Sequence, residues 1–139
     1  MSKAILADAS AVVALWSPGD RYHRWAKGCF AKFSPPIFTC EAAMAEAAWL
    51  LRHFRARRAA LIAAWRRDVL VIEFQAQANR DALVNLMQRY QDIPMSFADS
   101  CLVRMSELTL DCLVWTLDRD FKIYRLLGRV TIPLLMPED

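Results

Sequence analysis

Two aspartates each follow a short apolar run, and these positions are the most suggestive of chemistry in the sequence. Asp8 ends the run Ala4–Ala7, and Asp118 follows the run Cys112–Leu117. Unbroken apolar runs of this length are typical of strands buried on both faces of a parallel sheet. Such strands deliver the next residue to the carboxyl edge of the sheet, where open α/β folds bind ligands. The sequence therefore predicts two carboxylates at one edge.

Two further acids can reach the same edge. Glu46 lies in the alanine-rich segment Ala42–Leu51, with no charged residue three or four positions away. We expect that helix to be largely buried, so that Glu46 needs a nearby cation or a proton. Asp99 falls in the first turn of a helix that Ser96 would begin. Since helices that follow parallel strands start at the carboxyl edge, Asp8, Asp118, Asp99 and Glu46 can all face one crevice.

The same acids also have purely structural interpretations. Asp8 and Asp118 could cap the helices that follow them, and Ser96–Asp99 has the pattern of a capping box. Asp92, just before Ile93-Pro94, could be a turn residue. If the acids instead share a crevice, a divalent cation must offset their repulsion, and oxygen ligands favour Mg²⁺ or Mn²⁺ over zinc. The residues alone leave both interpretations open.

Composition limits the other possibilities. The 139 residues predict one domain, the net charge of +3 permits a nucleic-acid partner, and the 56% hydrophobic share excludes disorder. The chain has three glycines, two isolated histidines and four scattered cysteines, so phosphate loops, Ser-His-Asp sites and zinc motifs have little support. The scattered cysteines and the absence of a signal peptide or membrane-length apolar run predict a reduced, cytoplasmic protein without membrane contact.

Strands and helices alternate along the sequence, which predicts an α/β fold with a central parallel sheet flanked by helices. The predicted strands are residues 4–7, 37–39, 69–72, 112–117 and 130–135. The predicted helices are residues 11–16, 20–33 with Asp20 as the cap, 40–54, 55–67, 76–90, 96–108 and 121–127. We expect one domain over residues 1–136 and a short tail over residues 137–139.

Four motifs in this order resemble those of a known family. They are Asp8-x-Ser10, Glu46 before Trp49-Leu50-Leu51, Tyr90-x-Asp92-x-Pro94-Met95 running into Ala98-Asp99-Ser100, and Thr116-Leu117-Asp118-Arg119-Asp120-Phe121. Together they resemble a PIN domain, and more narrowly the VapC-like ribonuclease toxins of bacterial toxin–antitoxin pairs. The resemblance extends over nearly the whole chain.

The resemblance implies a single PIN-like domain that cleaves RNA phosphodiester bonds with Mg²⁺ or Mn²⁺. Carried over by position, the metal-binding and catalytic quartet is Asp8, Glu46, Asp99 and Asp118. The supporting residues are Ser10, Asp92, Thr116 and Asp120. Whether Asp118 or Asp120 lies nearer the metal stays open, as does the role of Glu46 as ligand or base.

Basic and aromatic residues indicate partners. Arg119 and Lys122 flank Asp118, and we expect them to contact RNA. A second cluster could bind phosphate or could be solvated helix faces; it comprises Arg52, Arg55, Arg57, Arg58, Arg66 and Arg67. Most of the five tryptophans should enter the core, and the rest would suit a groove for an antitoxin helix or a homodimer face. The alternative function is a PIN-like module that binds RNA or a partner without cutting.

Overall fold

The computed structural model describes residues 3–138; Met1, Ser2 and Asp139 lie outside this range, so the predicted tail is described only to Glu138. The strands are β1 (Ala4–Ala7), β2 (Ile37–Thr39), β3 (Leu70–Ile72), β4 (Cys112–Trp115), β5 (Arg125–Leu126), β6 (Val130–Thr131) and β7 (Leu134–Leu135). The α-helices are α1 (Ala9–Leu15), α2 (His23–Lys32), α3 (Glu41–Leu50), α4 (Arg55–Arg66), α5 (Arg80–Arg89) and α6 (Phe97–Leu108). Two 3₁₀ turns cover Gln77–Asn79 and Arg119–Lys122.

The central sheet has five strands in the order β3-β2-β1-β4-β7, and each neighbouring pair is parallel. The chain builds outward from β1 to β2 and β3, then returns to the other side of β1 with β4. The order therefore reverses between β1 and β4, which is the place where open α/β sheets form a crevice at their carboxyl edge. The α/β fold predicted from the sequence is confirmed.

Burial of β1 and β4 explains their apolar sequences. Leu6 and Val114 are paired in register, and both are buried. Trp115 at the end of β4 is fully buried and packs against Trp25 and Phe33 of the α2 region, with ring centroids 6.4 Å and 5.0 Å away. Packing against the α2 region thereby fixes the last residue of β4, which pairs with the last residue of β1.

The helix predicted over residues 121–127 is wrong. The chain instead makes a 3₁₀ turn and then a small antiparallel hairpin of β5 and β6. Tyr124 is fully buried, the backbone N–H of Arg125 donates to the hydroxyl of Tyr90, and that of Leu127 donates to Glu107. Leu127 also has a positive φ of 51°. These tertiary contacts outweigh the local helical pattern.

The strand predicted over residues 130–135 is divided into β6 and β7. Pro133 has no backbone N–H, and its carbonyl instead accepts from the backbone N–H of Val114. β7 then joins the main sheet beside β4, whereas β6 pairs with β5. One apolar segment therefore supplies two different sheets.

Two further expectations need correction. Asp20 does not cap α2; Tyr22 holds that position, and the Asp20 carboxylate accepts its backbone N–H in the preceding turn. Helix α3 is not largely buried, because only Ala43 and Ala47 of its ten residues are. Within residues 3–138 no helix is both long and apolar enough to cross a membrane.

Candidate active site

The end of β1 places Asp8 at the reversal point of the sheet. Ala7 pairs in register with Trp115, so the next residues of the two strands, Asp8 and Thr116, meet at the carboxyl edge. The side chain of Asp8 is 5% exposed. One of its oxygens accepts the backbone N–H of Ala9 at 2.9 Å, and it therefore caps α1. The capping interpretation is correct for Asp8, but the cap uses only this one carboxylate oxygen.

Two hydroxyls hold the other oxygen of Asp8. Thr116 donates to Oδ2 at 2.7 Å, and Ser10 donates to the same atom at 2.8 Å. The hydroxyl of Thr116 also accepts the backbone N–H of Asp118 at 2.9 Å, and that of Ser10 accepts the backbone N–H of Leu117 at 3.0 Å. The loop after β4 is thus connected to Asp8 through two hydroxyls, each of which accepts a backbone N–H of the loop and donates to the carboxylate.

Asp118 lies beyond this connection and caps the 3₁₀ turn. Its Oδ1 accepts the backbone N–H of Asp120 at 2.9 Å, and its side chain is partly exposed. The charge of Asp118 raises the pKa of Asp8, Glu46 and Asp99. Asp120, in the turn itself, has a charge that raises the pKa of Tyr124. Of the two acids, Asp118 is the one that interacts with the other three predicted quartet members.

Asp99 is held by a residue that sequence reasoning missed. Asp99 lies in the first turn of α6, where its backbone N–H donates to the Ser96 hydroxyl at 3.0 Å. Its Oδ2 accepts the hydroxyl of Tyr124 at 2.8 Å, and both side chains are buried. Tyr124 also packs edge-on against Tyr90 and Phe121. No local sequence signal marks Tyr124, because its partner lies 25 residues away.

Glu46 differs from the other three acids in being exposed. It lies on the second turn of α3, the helix that follows β2. Partial desolvation raises its pKa most, followed by the charges of Asp8 and Asp118. Its carboxylate therefore lies within range of the charges of Asp8 and Asp118 while it stays accessible to solvent.

Electrostatic strain is concentrated in the two buried acids. Burial is the main reason that the pKa of Asp8 is raised; its two hydroxyl donors lower it, and the charge of Asp118 raises it further. Burial also raises the pKa of Asp99 to about 6, against the lowering effect of Tyr124. Across residues 3–138, however, no three His, Cys, Asp or Glu side chains are close enough together to form a metal-binding group. The acids approach one another without forming a complete coordination shell.

The other predicted residues lie around this crevice or apart from it. Arg119 and Lys122 are exposed on the 3₁₀ turn that Asp118 caps. Asp92 is exposed in the turn after α5, consistent with its structural interpretation. The two basic residues are therefore accessible at the surface, in the same turn that Asp118 caps.

Comparison with solved structures identifies the architecture. VapC20 of Mycobacterium tuberculosis, a sarcin-ricin loop cleaving toxin, matches with a TM-score of 0.72. The match covers 86% of this chain and 94% of VapC20, with 22% sequence identity. The chain has a PIN-like fold. No family model matches the sequence, and no curated protein is significantly similar to it.

The match confirms the α/β, PIN-like fold that the sequence motifs implied. At 22% identity, the likeness to VapC20 concerns the fold, and cleavage of the sarcin-ricin loop is a property of that toxin. The PIN-like fold nevertheless explains how four separate segments bring the acids together. Asp8 and Asp118 follow β1 and β4, Glu46 lies on the helix after β2, and Asp99 lies on α6, which packs against β1 and β4.

The raised pKa of Asp99 predicts a pH-dependent stability in metal-free buffer. Because the pKa is about 6 in the folded state and 3.8 in a model peptide, the folded state favours the protonated acid. Ionised Asp99 therefore lowers the free energy of unfolding. This loss of stability is fully present above pH 6 and disappears as the pH falls toward 4. We expect Asp99→Asn to exceed the wild type in free energy of unfolding by roughly 2 kcal/mol at pH 7.5.

This advantage should shrink as the pH falls from 7 to 4.5. Urea titrations of both proteins in EDTA, at several pH values, measure it directly. Asp81→Asn removes an equal charge from an exposed residue of α5 and is the matched control. A constant difference between Asp99→Asn and the wild type over this pH range would contradict the prediction.

Proposed function

We propose that this protein is a metal-dependent endoribonuclease and the toxin of a toxin–antitoxin pair. The observation that carries the proposal is the arrangement of Asp8 and Asp118 at the reversal point of a PIN-like sheet, with Asp99 and Glu46 within range of their charges. The sequence motifs and the structural likeness to a ribonuclease toxin support the same conclusion.

The donor set fits a hard divalent cation. The four acids offer only carboxylate oxygens, which favour a hard cation over a softer metal. The pKa values of Asp8, Glu46 and Asp99 are raised first by desolvation and further by the charge of Asp118, and a bound cation would oppose both effects. We propose that Asp8, Glu46, Asp99 and Asp118 hold Mg²⁺ or Mn²⁺, which when bound would assist in activating a water and neutralising phosphate charge.

Each protein group has a separate task in this proposal. Ser10 and Thr116 fix the carboxylate of Asp8, and Tyr124 fixes that of Asp99, so that neither acid must be ordered when substrate binds. Glu46, exposed and with a raised pKa, can accept a proton from the attacking water. Arg119 and Lys122 would attract the RNA backbone.

The nucleophile should be water and not the ribose 2′-hydroxyl. A cyclising ribonuclease needs a general base such as histidine beside the 2′-hydroxyl. His23 is instead bonded to the carbonyl oxygen of Ala14, and His53 lies in the turn after α3. The expected products are therefore a 5′-phosphate and a 3′-hydroxyl.

The proposed function is tested by incubating the purified chain with a panel of tRNA, mRNA and ribosomal hairpins, one of them a sarcin-ricin loop. Cleavage in Mg²⁺ or Mn²⁺, its loss in EDTA and 5′-phosphate ends are the expected results. Cleavage that continues in EDTA, or 2′,3′-cyclic phosphate ends, would refute the metal mechanism. RNA binding without cleavage of any substrate would favour the non-cleaving module.

Metal binding itself should be visible in thermal unfolding. A ligand that binds only the folded state stabilises it by about 2.7 kcal/mol at a free concentration 100 times its Kd. We expect saturating Mn²⁺ or Mg²⁺ to raise the Tm by roughly 5–10 °C. Calorimetry should show this shift for the wild type and for Asp81→Asn, and little of it for Asp99→Asn. An equal shift in all three proteins would indicate that the cation binds elsewhere.

Replacing Arg119 with alanine should weaken RNA binding more than it slows the bound reaction. One lost phosphate contact is expected to raise the Kd several-fold and to lower the salt dependence of log Kd by about one. Binding can be measured in Ca²⁺, and single-turnover cleavage in Mg²⁺. Arg21→Ala, on the turn before α2, removes an equal charge and serves as the control. An unchanged Kd would remove Arg119 from the substrate site.

We also propose a protein partner for the α3–α4 surface, defined as the exposed side chains of Trp49, Leu50, Phe54, Ile62 and Trp65. Trp49 is 63% exposed and Trp65 is 51% exposed, although both are large apolar side chains. Residues 47–67 contain six arginines and no acid, and two of the arginines stack on Trp49 and Phe54. A complementary partner is an acidic, amphipathic segment of an antitoxin.

Titration of the chain with an antitoxin encoded by a neighbouring gene, where the genome has one, tests this partner. We expect a stable complex that Trp49→Ala and Trp65→Ala together weaken, while RNA cleavage by the free chain stays unchanged. The resemblance also implies a homodimer, which light scattering of the chain alone would detect. If the paired substitution disrupts a dimer and leaves antitoxin binding intact, the surface is a dimer face instead.

A further inference from the structure

Two cysteines adjoin each other between the helices that carry Glu46 and Asp99. Cys40 is the N-cap of α3, where its sulfur accepts the backbone N–H of Ala43 at 3.4 Å. Cys101 lies in the second turn of α6, and its side chain interacts with that of Cys40. The two thiols come from segments 61 positions apart and meet only in the folded protein.

A cavity gives small molecules access to both thiols. Cys40 and Cys101 are each only 1% exposed, yet both line a cavity of about 330 Å³. The other lining residues include Glu41, Gln75 and Phe97, which are exposed and form the rim. The thiols are therefore covered from bulk solvent but accessible through a surface opening.

The remaining cysteines lack this combination of features. Cys112 is buried on β4 beside the hydroxyl of Ser106 at 3.5 Å. Cys29 is partly exposed on α2, and burial raises the pKa of its thiol. By contrast, Cys40 lies at the N-terminus of α3, where the backbone N–H of Ala43 donates to its sulfur, and helix N-termini favour the thiolate form of cysteine. The helix cap identifies Cys40 as the reactive thiol, and the shared cavity places Cys101 beside it.

We propose that Cys40 and Cys101 form an oxidation site at which a peroxide admitted through the cavity converts the two thiols into a disulfide. The Cys40 thiolate attacks one peroxide oxygen, the O–O bond breaks, and Cys40 becomes a sulfenic acid while hydroxide leaves. The sulfur of Cys101 then attacks the sulfur of Cys40 and loses its proton, and water leaves. For hydrogen peroxide the sum is two thiols and one peroxide giving one disulfide and two waters.

The site does not depend on the proposed ribonuclease activity, because it is defined by two thiols and a cavity. Its position nevertheless connects the start of α3 to α6. The disulfide would join the N-cap of α3, the helix that carries Glu46, to α6, the helix that carries Asp99.

Peptide mapping after oxidation tests the proposal. The folded wild-type chain is treated with a small excess of hydrogen peroxide, unfolded, alkylated and digested. We expect a disulfide-linked peptide pair containing Cys40 and Cys101, formed at least about tenfold faster than any modification of Cys112. In Cys101→Ala, the sulfenic acid of Cys40 should persist and be captured by dimedone.

Two variants control the mapping. Cys40→Ser keeps a hydroxyl at the N-cap, so α3 should form normally, and it should yield neither the linked peptides nor a dimedone adduct at Cys101. Cys29→Ser removes the more accessible thiol and should leave the Cys40–Cys101 link unchanged. Wild-type protein that is oxidised at Cys29 while Cys40 and Cys101 stay reduced would overturn the proposal. Direct overoxidation of Cys40 without a link would also overturn it.

Discussion

Replacing Asp99 with asparagine should lower single-turnover RNA cleavage by at least about 100-fold, because it removes a carboxylate from the proposed metal site. The substitution keeps an oxygen that can accept the hydroxyl of Tyr124, so the buried contact survives. Asparagine is therefore a better probe than alanine at this buried position, where alanine would leave the Tyr124 hydroxyl without its partner.

Circular dichroism and the Tm of Asp99→Asn should show an intact fold, and in EDTA its Tm should be at least that of the wild type. Cleavage by Asp81→Asn should match the wild type. If Asp99→Asn retains wild-type cleavage, Asp99 does not belong to the catalytic machinery. If it loses activity because it unfolds, the role of Asp99 is structural.

The largest expected loss of stability comes from Thr116→Val. The substitution preserves the shape of the side chain but removes a fully buried hydroxyl that donates to Asp8 and accepts from the backbone of Asp118. Breaking one hydrogen bond to a carboxylate and orphaning a backbone N–H should lower the free energy of unfolding by roughly 3 kcal/mol. The Tm should fall by on the order of 10 °C.

Urea unfolding in EDTA measures this loss without interference from bound cation. Ser10→Ala is the matched comparison, since Ser10 donates to the same oxygen of Asp8 from a partly buried position. We expect a smaller loss there, on the order of 1 kcal/mol. A Thr116→Val protein as stable as the wild type would mean that the link between β1 and the loop after β4 contributes little.

The sequence was sufficient to predict the parts of the fold that local pattern controls. The apolar runs of β1 and β4 predicted both strands and the position of Asp8, since a strand buried on both faces has little freedom in composition. The run to Leu117 overstated β4, which ends at Trp115, so Thr116 and not Asp118 directly follows that strand. The predicted order of strands and helices up to residue 117 agrees with the structure. The family resemblance, and not local pattern, marked Ser10 and Thr116, whose hydroxyls donate to Asp8 in the structure.

Local pattern failed where distant contacts decide the structure. Residues 121–127 have a helical spacing of apolar side chains, but Tyr124 is drawn into the core by Asp99 and Tyr90. The exposure of α3 could not be predicted from local pattern either, because an alanine-rich helix has an apolar sequence whether or not another element covers it. The exposed face of α3 is explained only by its position beside the arginines and Trp65 of α4.

The parallel register of β1 and β4 has a consequence for how this chain can vary. All strands of the main sheet enter from the amino edge, so the loops there, such as residues 34–36 and Asp111, are separated from the acids by the full length of a strand. Insertions in those loops can be absorbed on the surface without changing the pairing of Ala7 with Trp115. An insertion between Trp115 and Asp118 would instead displace the acid directly. The loops at the amino edge of the sheet can therefore vary in length, whereas the loop from Trp115 to Asp118 at the carboxyl edge cannot.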